Sequence, residues 1–184
     1  MSKIPEFMGG RSLEHSAAIN GAITTKRGVT NHPAAKVGGQ IYNVQNVALV
    51  AIVETTLGTV SLPASSLSAG TVLRLRAIGR NSNNAGANNL TLTLKVGSTS
   101  VATLTANPGA NDYIILQADV YVSTTGGSGI IQYNGRTKVG AGAETVTLNG
   151  ATIDTAAAQA VALTGSWDVA ESFVLGSFSV EVVG

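Results

Sequence analysis

The chain has 184 residues and a formal net charge of +1; 44% of residues are hydrophobic, only 11% are charged and none is cysteine. That charged share is less than half the usual ~25%, and the lack of cysteine excludes disulfides and thiolate metal sites. The length suits one domain with a substantial core and residues to spare for a tail.

With 4% aromatics, the core is expected to be Val, Leu, Ile and Ala, and little material exists for a platform that stacks sugars or bases. The polar surface has to come from Thr, Ser, Asn and Gly, the vocabulary of short strands and turns. No run of about 18 apolar residues is present to span a bilayer. The start, MSKIPEFMGGRS, lacks the apolar central region of a secretory signal. Met8 before Gly9-Gly10 fits a native start behind residues 1–7, which resemble cloning sequence.

Residues 1–40 show neither a strand nor a sustained helix period. Ser12 to Ile19 suits a helical turn or two with Ser12 as cap, stopped by Asn20-Gly21. Five basic residues stand against two acidic ones here, a net of +3, while residues 41–184 carry six against eight, a net of −2. Apolar residues are spaced singly: Ile4, Phe7, Leu13, Ile19, Ile23, Val29 and Val37. Isolated anchors on a basic, irregular segment suit an arm that orders by lying on another protein's surface. The partner-binding residues expected in it are Ile4, Phe7, Arg11, Leu13, Ile19, Ile23, Lys26, Arg27 and Val29. A merely solvated tail is the bland alternative on charge alone.

From Ile41 the pattern changes to strands. IYNVQNVALVAIVET is long and β-branched, and Val44 to Val53 is continuous enough to be buried on both faces. Thr55 to Leu62 makes a second strand, and Ala69-Gly70 a turn. In Val72 to Arg80, Leu73, Leu75 and Ala77 point one way and Arg74 and Arg76 the other. Asn81 to Asn89 reads as an irregular loop. Leu90, Leu92, Leu94 and Val96 face inward, and Gly97-Ser98-Thr99 turns the chain into Val101–Thr105 as a hairpin. Asn107-Pro108-Gly109 is a turn. Tyr113–Val122 and Ile130–Val139 are strands joined through Gly126-Gly127-Ser128-Gly129. Thr145 to Leu148 is a short strand ended by Asn149-Gly150, and Asp154 to Ala158 a helical turn. Ala160–Ser166 and Glu171–Val183 close the domain. In the last strand the apolar face holds Phe173 and Leu175, then Phe178, Val180 and Val182, so a bulge is expected near Gly176.

About eight to ten short strands with turn signals roughly every 8–12 residues predict an all-β sandwich or barrel. An eight-stranded jelly roll fits the count and the long connections best, over residues 41–184, with residues 1–40 as the arm. An immunoglobulin-like sandwich is second, lacking the Cys–Trp–Cys signature.

Leu62-Pro63-Ala64-Ser65-Ser66-Leu67 with Leu73 to Gly79 resembles a module of tailed-bacteriophage virion proteins. Asn88 to Gly97 with Val101-Ala102, and the late Leu163-Thr164-Gly165-Ser166-Trp167, are similar too. The resemblance covers roughly residues 45–184 and leaves the arm outside. It implies a jelly roll used as a capsid decoration (cement) protein or as a domain of tail fibres and other appendages, with no catalytic residues to carry over.

The residues themselves point the same way. Both histidines, His15 and His32, lie in the arm and outside any nucleophile motif. The body's acids are Glu54, Asp112, Asp119, Glu144, Asp154, Asp168, Glu171 and Glu181. Most sit at strand ends or turns; Asp119, inside a strand, is the one to inspect for paired-carboxylate chemistry. No D-x-D-x-D-G loop exists, although Asn81, Asn83, Asn84, Asn88 and Asn89 offer amide oxygens and form a secondary loop candidate for ligand. Gly126 to Gly129 joins two strands, unlike a phosphate loop. Arg74, Arg76 and Arg80 form a basic strip with too little charge and no interleaved aromatics for nucleic acid.

The expectation is therefore a structural protein with no catalytic residues, no cofactor and no metal. It would bind the major capsid protein on the outside of a phage head through its arm and associate with itself, expected as a homotrimer. It would contact neither nucleic acid nor membrane. The alternative is a fibre module that binds a host receptor or glycan through its loops.

Overall fold

A computed structural model describes residues 39–83 and 88–183. It contains ten antiparallel strands: β1 Gly39–Leu49, β2 Thr55–Leu62, β3 Val72–Asn83, β4 Leu90–Val96, β5 Thr99–Ala106, β6 Tyr113–Thr124, β7 Gly129–Val139, β8 Thr145–Ile153, β9 Gln159–Trp167 and β10 Ser172–Val183. One sheet runs β1-β10-β3-β6-β7-β8 and the other β2-β9-β4-β5. Without β7 and β8, eight strands remain. In chain order they lie first-eighth-third-sixth in one sheet and second-seventh-fourth-fifth in the other. That is the jelly-roll order, so the expected fold class holds. The β7–β8 pair is an addition between the sixth and seventh jelly-roll strands that widens the larger sheet.

Alternation builds the core. Leu73, Leu75 and Ala77 of β3 are buried, as are Leu90, Leu92, Leu94 and Val96 of β4 and Leu116, Ala118, Val120 and Val122 of β6. They meet Val161, Leu163 and Trp167 of β9 and Phe173, Leu175, Phe178, Val180 and Val182 of β10. Burying each Leu or Phe contributes about 1.5–3 kcal/mol. The expected bulge in β10 is present: Leu175 pairs with Gly79 and Ser177 with Ile78, which leaves Gly176 as the extra residue against β3. β1 changes phase beside it, through Asn46 at φ +58°. The two-residue turn after β4 begins at Gly97, at φ +59°, the left-handed position that a hairpin of this length requires.

Four local expectations are corrected. The run Val44–Val53 is not one strand buried on both faces: β1 ends at Leu49 because the chain there crosses to the other sheet. Val50, Ile52 and Val53 are exposed on the crossing. Asn81 to Asn83 belong to β3 rather than to a loop, since Ser172 and Phe173 of β10 continue the ladder opposite them. β8 does not stop at Asn149-Gly150. It runs to Ile153, with Asn149 paired to Tyr133 and Gly150 to Gln132, so its backbone is held by β7. Residues 154–158 form no helix; the Asp154 carboxylate accepts hydrogen bonds from the Ala156 and Ala157 amides at 2.9 and 3.2 Å, an Asx turn.

Candidate interaction surface

The nine arm positions expected to bind a partner, from Ile4 to Val29, lie outside the described residues, as do both histidines, Asn84 and the helical turn expected after Ser12. The boundary expected at residue 40 falls within β1, which begins at Gly39.

The asparagine cluster is placed in part: Asn81 is buried, Asn88 half-buried and Asn89 exposed. The Asn81 side chain is 0% exposed. Its amide donates to the Pro108 and Gly109 carbonyls at 3.2 and 3.0 Å, and its backbone exchanges hydrogen bonds with Asp112 and Asn111. It straps the β5–β6 turn to β3. Asn88 donates to Glu171 at 2.9 Å. Asn89 donates from its amide nitrogen at 2.8 Å and its side chain at 3.1 Å to the two oxygens of Asp168, which holds that carboxyl below its ordinary range. Asn83 ends β3. The Asn81, Asn88 and Asn89 amides fasten neighbouring segments to one another.

The outer face of the large sheet carries the strip of arginines. Registers across the strands align Glu181, Arg74, Asp119, Asn134 and Leu148 in one row. Arg74 Nε donates to Asp119 Oδ1 at 2.9 Å, both side chains about half exposed. Hydrogen bonding to Asp119, then its charge and that of Glu181, raises the guanidinium above its ordinary value. Asp119 is thus engaged by a cation on its own sheet face. Arg80 donates to Asn111 Oδ1. Arg136 sits 3.7 Å from Glu144, so positive and negative groups interleave over this face. On the smaller sheet, Lys95 and Thr164 both donate to Glu54 at 2.6 Å. They lower its carboxyl below the ordinary range and tie the β1–β2 crossing to β4 and β9.

Among the described residues no group of three His, Asp or Glu side chains is arranged to hold a metal, and no helix is long and apolar enough to cross a membrane. A shallow groove of about 560 Å³ lies at the β8 end of the outer face, lined by Asp119, Tyr121, Ile130, Gln132, Leu148 and Asn149. Tyr121, Ile130, Val146 and Leu148 are exposed around it. Sequence reading missed this patch by ending β8 too early; the signal was a run from Thr145 to Ile153 without one charged residue.

No family model matches the chain, and no curated protein matches it. Among solved structures, it is similar to the crystal structure of the infectious bursal disease virus VP2 subviral particle, with 12% identity and a TM-score of 0.34. The match covers 79% of this chain and 32% of that one, so this chain spans about a third of that chain's length. Nothing in these comparisons is specific to tailed bacteriophages. The jelly-roll assignment rests on strand order alone.

Proposed function

We propose that the chain is a structural virion protein that decorates the outer surface of a phage head and stabilises the assembled shell, with the N-terminal arm as its anchor. The supporting observation is how the body's polar groups are used. Asn81, Asn88, Asn89, Glu54, Arg74, Asp119, Asp168 and Glu171 are tied to one another or to backbone, which suits a rigid spacer rather than a reaction centre. The residues that carry the phage resemblance fall on β3, β4, β5, β9, the end of β2 and the β2–β3 connection, so they belong to the scaffold. The net charge of +3 and the spaced apolar residues of positions 1–40 are left as the features suited to a partner.

In this reading the partner is the major capsid protein, the body associates with itself, and catalysis plays no part. Many copies bridging capsomer joints favour the assembled lattice by mass action, because they bind the shell and not its dissociated subunits. The test is co-sedimentation with purified heads of the intact chain and of a chain lacking residues 1–38, which leaves β1 whole. The intact chain should pellet with heads and the shortened one, still β-rich by circular dichroism, should stay in the supernatant. Undiminished pelleting of the shortened chain would sink the anchoring role.

A further inference from the structure

The large sheet ends at β8, and this edge differs from the other three in the sandwich. β8 pairs with β7 through nine consecutive partners without a register shift, and among the described residues nothing pairs with its other side. Its residues 145–150 are exposed on both faces. The strand TVTLNGATI contains no charge and no proline.

The remaining edges are each interrupted. β1 shifts register between Gln40 and Tyr42, and β2 between Thr56 and Gly58. The β4–β5 ladder shifts between Leu94 and Lys95. Across the sandwich interior β5 also packs against β7, where Gly135 sits so close to the Val101 carbonyl oxygen that a Cβ would overlap it. Bulges, charges, prolines and covering elements are the devices that keep edges from pairing with other chains. Among the described residues β8 has none of them over about 30 Å of edge.

We propose that β8 pairs antiparallel with β8 of a second copy about a two-fold axis, which joins the two large sheets into one. The occupant follows from charge and register. The strand is neutral, but acids bound it: Glu144 before and Asp154 after. An antiparallel dyad through Asn149 would set Glu144 of one copy opposite Asp154 of the other. A dyad through Leu148 sets Leu148 opposite its own copy, Val146 opposite Gly150 and Glu144 opposite Thr152, so the acids separate. In that register the exposed outer-face side chains Leu148 (75%) and Val146 (52%) meet across the axis. The Tyr121 and Ile130 patches of both copies then lie on one side of the joined sheet. An interface of this kind is isologous and closes on itself. It either stands in place of three-fold self-association or links neighbouring trimers.

The test uses the full chain over a micromolar concentration series in sedimentation equilibrium. The expected result is a reversible assembly of even copy number, halved in mass by Leu148→Lys. Two ammonium groups then face each other, and association weakens by about tenfold or more. At concentrations where both chains are monomeric the melting temperature should not change, because Leu148 then lies on the surface. Since the chain has no cysteine, Leu148→Cys gives a second readout: mild oxidation should yield a disulfide-linked dimer, while Thr152→Cys, opposite Glu144, should not cross-link. A monomer at all concentrations, an assembly whose mass ignores Leu148→Lys, or equal cross-linking of both cysteine variants overturns the proposal.

Discussion

Asn81 illustrates how one residue type serves opposite ends. In the sequence it opens an Asn-rich stretch and looks like a loop ligand; in the fold it is a buried strap bonded to Pro108 and Gly109. Composition does not distinguish the two, because an Asn amide satisfies a turn's carbonyls as readily as a ligand's oxygens. Asn81→Ala should cost about 1–3 kcal/mol in urea denaturation, since it leaves those buried carbonyls without their donor, and should leave binding to heads unchanged. Asp168 carries a pH dependence of defined sign. Its folded pKa lies below the ordinary value, first because the Asn89 backbone amide bonds the charged form. The Asn89–Asp168 tie therefore stabilises the fold above the ordinary carboxylate range and is lost as pH falls through the folded value. Amide exchange at Asn89 should accelerate on acidification below that range, and Asp168→Asn should flatten the response. An exchange rate indifferent to pH, after correction for intrinsic exchange, would contradict this assignment.

At the scale of elements, strict alternation was legible and context was not. β3, β4 and β10 announce their faces residue by residue, including the phase change at Gly176. β1 carries the same change, from Val44 to Val47 and Leu49, but the apolar residues 50–53 that follow masked where the strand ends. They cross between sheets, a destination that local pattern does not encode. Asn46 makes the phase change possible by adopting φ +58°. Asn46→Val should destabilise by about 1–2 kcal/mol, the cost of a left-handed conformation for a β-branched residue, while Asn46→Gly should be near neutral. Similar losses for both in chemical denaturation would mean that the Asn side chain, not its backbone, matters. β7 approaches β5 through Gly135, and Gly135→Ala should cost roughly 1–3 kcal/mol by forcing the strands apart. No sequence signal distinguished this glycine from those in turns, because the neighbour it accommodates is distant along the chain.

For the whole molecule, the jelly roll was legible because its strands are short, regular and separated by turn residues. The two added strands were legible as strands but not as an extension of one sheet, since strand order depends on long-range pairing. The expected binding segment precedes β1, and the body behind it has the composition of a scaffold: few charges, tied side chains and, among the described residues, one uninterrupted edge. A decoration protein has to be present wherever capsomers meet, whereas an appendage module is present only where fibres attach. The number of copies per virion, by quantitative mass spectrometry against the major capsid protein, separates these directly. The decoration reading predicts hundreds of copies in fixed proportion to capsomers; a few to some dozens would contradict it and favour a receptor-binding fibre module.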